Sequence, residues 1–144
     1  MKILGIDPGT RPGFALLADG RVVYAGRKAP PGVEVDVVAV ERPVPNPKAH
    51  RDRVISQGIT VGALAMLVPA AERCIVPVAA WRGQLWPGSK GQESKTIVLE
   101  RLRTLWHELV GGTPPESPDA LEAFGLAVAV HRMPVDKRRA LKRI

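Results

Sequence analysis

The fold of this chain is decided near its start, where residues 3 to 15 read Ile3-Leu4-Gly5-Ile6-Asp7-Pro8-Gly9-Thr10-Arg11-Pro12-Gly13-Phe14-Ala15. The apolar segment Lys2 to Asp7 predicts a strand that ends at an acid. Gly13 to Ala18 and Arg21 to Ala25 flank Asp19-Gly20, a dipeptide typical of a two-residue type I′ hairpin. The opening therefore predicts three strands, with Asp7 at the end of the first.

The next segments predict a strand, helix and strand succession. Asp36 to Glu41 is a nearly continuous apolar run, which favours a strand buried on both faces. Arg51 to Ala71 has a broad apolar face at helical spacing, and Cys74 to Val78 is again apolar. Two strands joined by a helix favour a parallel pair with a right-handed crossover. The prediction at this stage is an α/β fold.

Helices dominate the rest of the chain. We expect a short helix at Ala79 to Trp86, a longer one at Lys95 to Val110, and a last one at Pro118 to His131. A basic tail follows. We therefore divide the chain into one domain, residues 1–131, and a basic C-terminal tail, residues 132–144.

Composition favours a polyanionic partner. The chain has 144 residues, 21 Lys and Arg against 14 Asp and Glu, and a net charge of +7. An excess of cations suits phosphate-rich ligands, because neutralised phosphates release condensed counterions. No apolar run approaches the ~20 residues of a membrane helix, and we expect a cytoplasmic protein. Cys74, the single cysteine, lies in an apolar run and is expected to be a buried thiol.

Four acids occupy positions that suit a metal site. Asp7 and Glu41 each end an apolar strand, and Asp119 and Glu122 lie three residues apart at the start of the last helix. Ligand sites in α/β sheets form outside strand ends, and residues three apart share a helix face. Mg²⁺ prefers a few carboxylates together with water and substrate phosphate. Two such ions support phosphodiester cleavage.

Each acid also has a structural explanation without a metal. Asp7 begins a turn sequence, Asp-Pro-Gly. Glu41 can form a strand-end salt bridge with Arg42. Asp119 with Glu122 fits a helix capping box. Without a metal, all three explanations would have to hold at once, for two acids that each end an apolar strand and for a pair of acids on one helix. We therefore favour the metal site.

The opening stretch resembles that of the RuvC family of Holliday-junction resolvases. The order of elements is similar, and so is the segment from Asp119 to Ala127, which resembles the family's C-terminal acidic helix. The likeness extends from about Met1 to His131. It implies an RNase H-like fold with a mixed five-stranded sheet, a homodimer, and Mg²⁺-dependent cleavage of four-way DNA junctions, with Mn²⁺ able to substitute.

The resemblance also implies roles for single residues. The metal ligands would be Asp7, Glu41, Asp119 and Glu122, which would hold two ions per site. Lys95 would lie near the scissile phosphate, and no nucleotide cofactor is expected. Glu122 departs from the family, where Asp is commoner. The aromatic residue that some family members carry just after the strand-end Glu is missing; Val44 could be an apolar substitute, or Arg51 or Arg53 could reach phosphates instead. Expected DNA contacts come from the following basic residues: Arg42, Lys48, His50, Arg51, Arg53, Arg82, Lys90 and Lys95.

Alternatives remain at this point. The motif Gly5 to Thr10 also resembles the phosphate loop of actin-like ATP-binding proteins, which need two domains. A nuclease on the same fold can instead cut flaps or RNA–DNA hybrids, and a basic module can bind DNA without cutting it. Trp81 and Trp86 can stack on bases or pack in the core. For a resolvase, the apolar face of the Arg51 to Ala71 helix is the candidate dimer surface, with core packing as the other explanation.

Overall fold

A computed structural model describes residues 1–9, 11–43 and 51–144, and it shows a single twisted sheet with helices on both faces. The strand order is β3-β2-β1-β4-β5-β6. The strands are as follows: β1 Lys2–Asp7, β2 Gly13–Ala18, β3 Arg21–Gly26, β4 Val35–Glu41, β5 Ala70–Val76 and β6 Lys142–Arg143. Three residues named above, Val44, Lys48 and His50, lie outside the described residues.

The sheet is mixed. Strands β1, β2 and β3 form an antiparallel meander, whereas β4 and β5 run parallel to β1. Asp19 and Gly20 both have positive φ, 52° and 80°, as the type I′ turn requires. The predicted hairpin and the predicted parallel pair are therefore confirmed.

The described part of the chain contains five helices. They are α1 Arg51–Ala65, α2 Val78–Leu85, α3 Lys95–Leu109, α4 Pro118–Arg132 and α5 Val135–Arg139. Helix α1 packs on one face through Val61 and Ala65. Helices α2, α3 and α4 enclose the larger core on the other face, where α4 is buried along almost its whole length.

The prediction of five strands is wrong, because the basic tail adds a sixth. Strand β6 pairs antiparallel with β5, Cys74 opposite Arg143 and Ile75 opposite Lys142. The backbone N–H of Ile144 also donates to Arg73 O at 3.0 Å. The tail thus satisfies backbone groups that the edge strand β5 would otherwise expose.

The prediction that the first long helix continues to Ala71 is also wrong. Helix α1 ends at Ala65 and β5 begins at Ala70, because Pro69 can neither donate a helical hydrogen bond nor follow a helical residue easily. The Arg73 guanidinium donates to the carbonyls of Ala65, Val68 and Ala70 at 3.0 to 3.3 Å. One side chain therefore satisfies the last carbonyl of α1 together with one carbonyl of the loop and the first carbonyl of β5.

Glycines on β1 and β2 allow α4 to lie directly on the sheet. A Cβ on Gly5 would come within 2.4 Å of Ala123 O, and one on Gly13 within 2.0 Å of the Asp119 carbonyl carbon. Contacts below 3.0 Å cannot be tolerated without movement of the backbone. Gly13 therefore fixes how close the first turn of α4, which carries Asp119, comes to the ends of the strands.

Within the described residues, no helix has the length and apolar character needed to span a bilayer. Cys74 is fully buried, and burial raises the pKa of its thiol to about 11. A thiol in this setting stays protonated at neutral pH, as expected for a structural cysteine.

Candidate metal centre

Strands β1 and β4 place Asp7 and Glu41 side by side on the face covered by α4. The parallel register pairs Ile3 with Val37 and continues to Ile6 with Val40, so Asp7 and Glu41 are the next residues of the two strands. Side chains alternate between faces along a strand, and Ile3 and Val37 belong to the core beneath α4. Asp7 is four residues after Ile3, and Glu41 is four residues after Val37, so both face α4 as well.

Helix α4 brings the other two acids to this place. Carboxylate oxygens of Asp7, Asp119 and Glu122 lie within 4.8 Å of one another. Glu41 is not one of these three residues, but the negative charges of Glu122 and Asp119 help to raise its pKa. We call Asp7, Glu41, Asp119 and Glu122 the acidic cluster.

The capping-box explanation for Asp119 and Glu122 is wrong. Ser117 is the N-cap of α4, and its hydroxyl accepts a hydrogen bond from the backbone N–H of Ala120 at 3.2 Å. Glu122 is 8% exposed and is directed toward the strands. The two acids therefore do not cap the helix, and both belong to the acidic cluster.

Asp7 takes part in a turn and in the acidic cluster with different oxygens. Its Oδ1 accepts from the backbone N–H of Gly9 at 3.3 Å, so the turn explanation holds for this atom. Its Oδ2 is buried and has no hydrogen-bond partner among the described residues. Burial, followed by the carboxyl of Glu122 and the charges of Glu41 and Asp119, raises the pKa of Asp7 far above its ordinary value.

Glu41 is held by a tryptophan. The indole Nε1–H of Trp81 donates to Glu41 Oε2 at 2.8 Å. Burial and the negative charge of Glu122 raise the pKa of Glu41 to about 7, although the Trp81 hydrogen bond and Arg82 act in the other direction. Within the described residues Glu41 forms no salt bridge with Arg42, which excludes that explanation here.

Arg82 faces the acidic cluster. Its side chain is 11% exposed, and its guanidinium lies 3.9 Å from Glu122 Oε1. It also donates to Gly91 O at 3.3 Å and lies 5.5 Å from the centre of the Trp81 ring. A cation so placed offsets part of the repulsion among the carboxylates, and this role was not predicted from the sequence.

An open groove leads to the acidic cluster. It has a volume of about 780 Å³. Asp7, Glu41 and the turn residues form one wall, and the first turns of α1 form the other. The full lining is Asp7, Pro8, Gly9, Glu41, Pro43, Asp52, Arg53, Ser56, Gln57 and Thr60. Arg53 is thus the one predicted DNA-contacting residue, within the described part of the chain, that lines this groove.

The other predicted basic residues lie elsewhere. Arg51 is exposed at the start of α1. Arg42 borders a separate depression together with Lys142. Lys90 and Lys95 are exposed, and Lys95 is the first residue of α3, after the N-cap Ser94. The structure does not bring these four residues into the groove.

The donor set of the acidic cluster fits a hard divalent cation. All four side chains offer oxygen, the ligand atom that Mg²⁺ and Mn²⁺ accept in preference to sulfur. Among the described residues the buried Asp7 Oδ2 has no partner, and a buried unsatisfied oxygen costs about 1–3 kcal/mol. A bound cation would satisfy it and would offset both the burial and the repulsion that raise the pKa values of Asp7 and Glu41.

Besides the role of Arg82, sequence reasoning missed three features of this site. It left Trp81 between core packing and base stacking, and the structure excludes stacking because the ring is 0% exposed. It did not consider Asp52, which lines the groove, or Gly13, against which Asp119 packs. A glycine placed opposite the strand-end acid was the available signal for the close approach of a helix.

Comparison with solved structures identifies the fold. The chain is similar to Thermus thermophilus RuvC, with a TM-score of 0.63, 16% identity and full coverage of both chains. It is also similar to T. thermophilus RuvC in complex with Holliday junction substrate, with a TM-score of 0.66, 15% identity and full coverage of both chains. No family model and no curated protein matches the sequence. The architecture shared with these structures, a mixed sheet with helices on both faces, is the RNase H-like α/β fold expected from the opening motif.

Proposed function

We propose that this chain is a metal-dependent, structure-selective endonuclease that resolves four-way DNA junctions by paired phosphodiester hydrolysis. The observation that carries the proposal is the acidic cluster at the head of an open groove, where the buried Asp7 Oδ2 has no partner among the described residues. Support comes from the full-length likeness to RuvC, one structure of which holds a Holliday junction substrate. The net charge of +7 suits the same substrate class.

The proposed ligands are Asp7, Glu41, Asp119 and Glu122. They would hold two divalent cations, Mg²⁺ with Mn²⁺ as a substitute. When bound, such ions make a nucleophile of water at neutral pH and stabilise the leaving oxygen. Three of these carboxylates lie within 4.8 Å of one another, and Glu41 flanks them at the end of the neighbouring strand.

The chain's own residues then bind and orient the DNA backbone. Arg53 lines the groove on α1, opposite Asp7 and Glu41, where its charge can pair with a phosphate. Arg51, Lys90 and Lys95 are exposed and free to meet the DNA arms outside the groove. We place Lys95 near the scissile phosphate on the basis of the family resemblance.

A second copy of the chain is part of the proposal, because paired cuts need two sites at a fixed spacing. Val54, Ile55 and Ile59 on α1 are 50%, 52% and 68% exposed, so the core-packing explanation does not account for them. Exposed apolar side chains clustered on one helix mark an interaction surface. We infer that this face of α1 is buried in a homodimer.

Cleavage of labelled four-way junction, flap, RNA–DNA hybrid and duplex substrates, each with Mg²⁺ or Mn²⁺, tests the function. We expect symmetric paired cuts in the junction and slower cleavage of the rest. Faster cleavage of flaps or hybrids would contradict the junction as substrate and would favour the alternative nuclease function. Binding of the junction with no cleavage of any substrate would leave only a DNA-binding module.

A further inference from the structure

We propose that Trp81 is a positioning residue for the metal centre, in which its neutral indole N–H fixes the Glu41 carboxylate while leaving its charge for the cation. This inference rests on the proposed metal-dependent function and adds a residue to it. The hydrogen bond from Trp81 Nε1 to Glu41 Oε2, at 2.8 Å, is its basis.

The chemistry of the donor explains why a tryptophan suits this position. Glu41 ends β4 beside the groove, where the charge of Glu122 repels it. An indole N–H donates but cannot accept, and it carries no charge. It therefore holds one carboxylate oxygen, Oε2, without neutralising the group, and Oε1 remains available to a cation. A lysine or arginine at the same place would compete with the cation for the charge of Glu41.

The surroundings of Trp81 keep its N–H in place. The ring is 0% exposed. A Cβ on Gly125 of α4 would approach Trp81 Cζ3 at 3.0 Å, so the ring packs against the helix that also carries Glu122. The guanidinium of Arg82 lies 5.5 Å from the ring centre. A donor that is locked by packing in this way has little orientational entropy to lose when the metal binds.

Helix α2 places two consecutive residues, Trp81 and Arg82, beside two different acids. Trp81 contacts Glu41 at the end of β4, and Arg82 lies near Glu122 on α4. Because α2 begins directly after β5, with Pro77 as its N-cap, its position is tied to the sheet. The arrangement resembles the outer-shell hydrogen bonds that orient metal ligands, whose loss typically costs ~10–100-fold in metal affinity.

The chain offers a matched control in Trp106. This tryptophan is also buried, 8% exposed, and it packs edge-on against Phe124 at 5.0 Å. Its Nε1 has no hydrogen-bond partner among the described residues. Trp81→Phe and Trp106→Phe therefore remove the same atoms from the same core, but only the first removes a hydrogen bond to a proposed metal ligand.

The test measures Mn²⁺ affinity by titration calorimetry for wild type, Trp81→Phe, Trp106→Phe and Glu41→Gln, with thermal unfolding to establish that each is folded. We expect Trp81→Phe to bind Mn²⁺ ~10-fold or more weakly and Trp106→Phe to bind as wild type. Equal affinities for the two Phe variants would overturn the inference while leaving the metal site intact. A wild-type protein that binds no Mn²⁺, or a Glu41→Gln variant that binds it equally well, would overturn the proposed site as well.

A second measurement follows the effect of Mg²⁺ on the wild-type chain and uses the variants only to assign signals. The three tryptophans give three indole N–H signals in ¹⁵N-edited spectra of the wild-type chain, and the Phe variants identify them. We expect Mg²⁺ to shift the Trp81 signal, because its acceptor Glu41 binds the cation, and to leave the Trp106 signal in place. A Trp81 signal unmoved at saturating Mg²⁺ would contradict the inference.

Discussion

The stability of the metal-free protein should fall as the pH rises through the titration range of Glu41. Burial and the charge of Glu122 raise the pKa of Glu41 from 4.5 to about 7 in the folded chain. A carboxyl whose pKa is raised by folding binds its proton more tightly in the folded state, so its contribution is fully present below pH 4.5 and is lost toward pH 7. Metal-free samples should therefore be most stable on the acidic side of this range.

The size of the effect follows from the same two values. A change from 4.5 to about 7 corresponds to about 3 kcal/mol. This is a large part of the ~5–15 kcal/mol that separates folded from unfolded states. Asp7, whose pKa is also raised, acts in the same direction. Glu41→Gln removes the titrating group and keeps an oxygen that can accept from Trp81.

Urea unfolding at a series of pH values between 4.5 and 7, in the presence of a chelator, measures the effect. We expect the unfolding free energy of wild type to fall across this range and that of Glu41→Gln to fall less. Glu100→Gln, on the exposed face of α3, is the control and should follow wild type. In a parallel series without chelator, saturating Mg²⁺ should abolish most of the wild-type decline. Parallel curves for wild type and Glu41→Gln would refute the account of the site's electrostatics.

Three further predictions concern the elements that build the site. Gly13→Ala would place a Cβ 2.0 Å from the Asp119 carbonyl carbon, so we expect a loss of at least ~1–3 kcal/mol in urea unfolding and weaker Mn²⁺ binding. Ser117→Ala removes the hydroxyl that accepts from Ala120 N, and thermal unfolding should show a loss of ~1 kcal/mol. Ile59→Asp should convert a dimer into a monomer in sedimentation experiments and leave the melting temperature of the fold nearly unchanged, because Ile59 is 68% exposed; a wild-type monomer would contradict the proposed α1 interface.

Much of the fold was accessible from local sequence because its signals are local. The Asp19-Gly20 turn, the apolar run of β4 and the N-terminal strand with Asp7 each depend on neighbouring residues. The end of α1 was misplaced although Pro69 is a local signal, because the apolar pattern continues past it. Strand β6 could not be predicted, because a short basic segment becomes a strand only through its pairing with β5.

The acids were identifiable and their environment was not. Asp7 and Glu41 could be placed together because parallel neighbouring strands end at one edge of a sheet. The bond between Trp81 and Glu41 joins residues 40 positions apart, and nothing in the sequence near either residue indicates it. The approach of Arg82 to Glu122 likewise depends on how α2 and α4 pack. Sequence thus reveals the charged groups, and only tertiary structure reveals which partners hold them.

The most direct test of the central claim is Mg²⁺-dependent cleavage of a four-way junction by Asp7→Asn beside wild type, with junction binding measured on the same samples. Asp7→Asn keeps an oxygen for the Gly9 turn and removes the second carboxylate oxygen, which would bind the cation. We predict unchanged junction binding and a cleavage rate reduced by more than the ~10–100-fold typical of losing an outer-shell partner. Cleavage at the wild-type rate would contradict the assignment of Asp7 as a metal ligand, and with it the proposed active site.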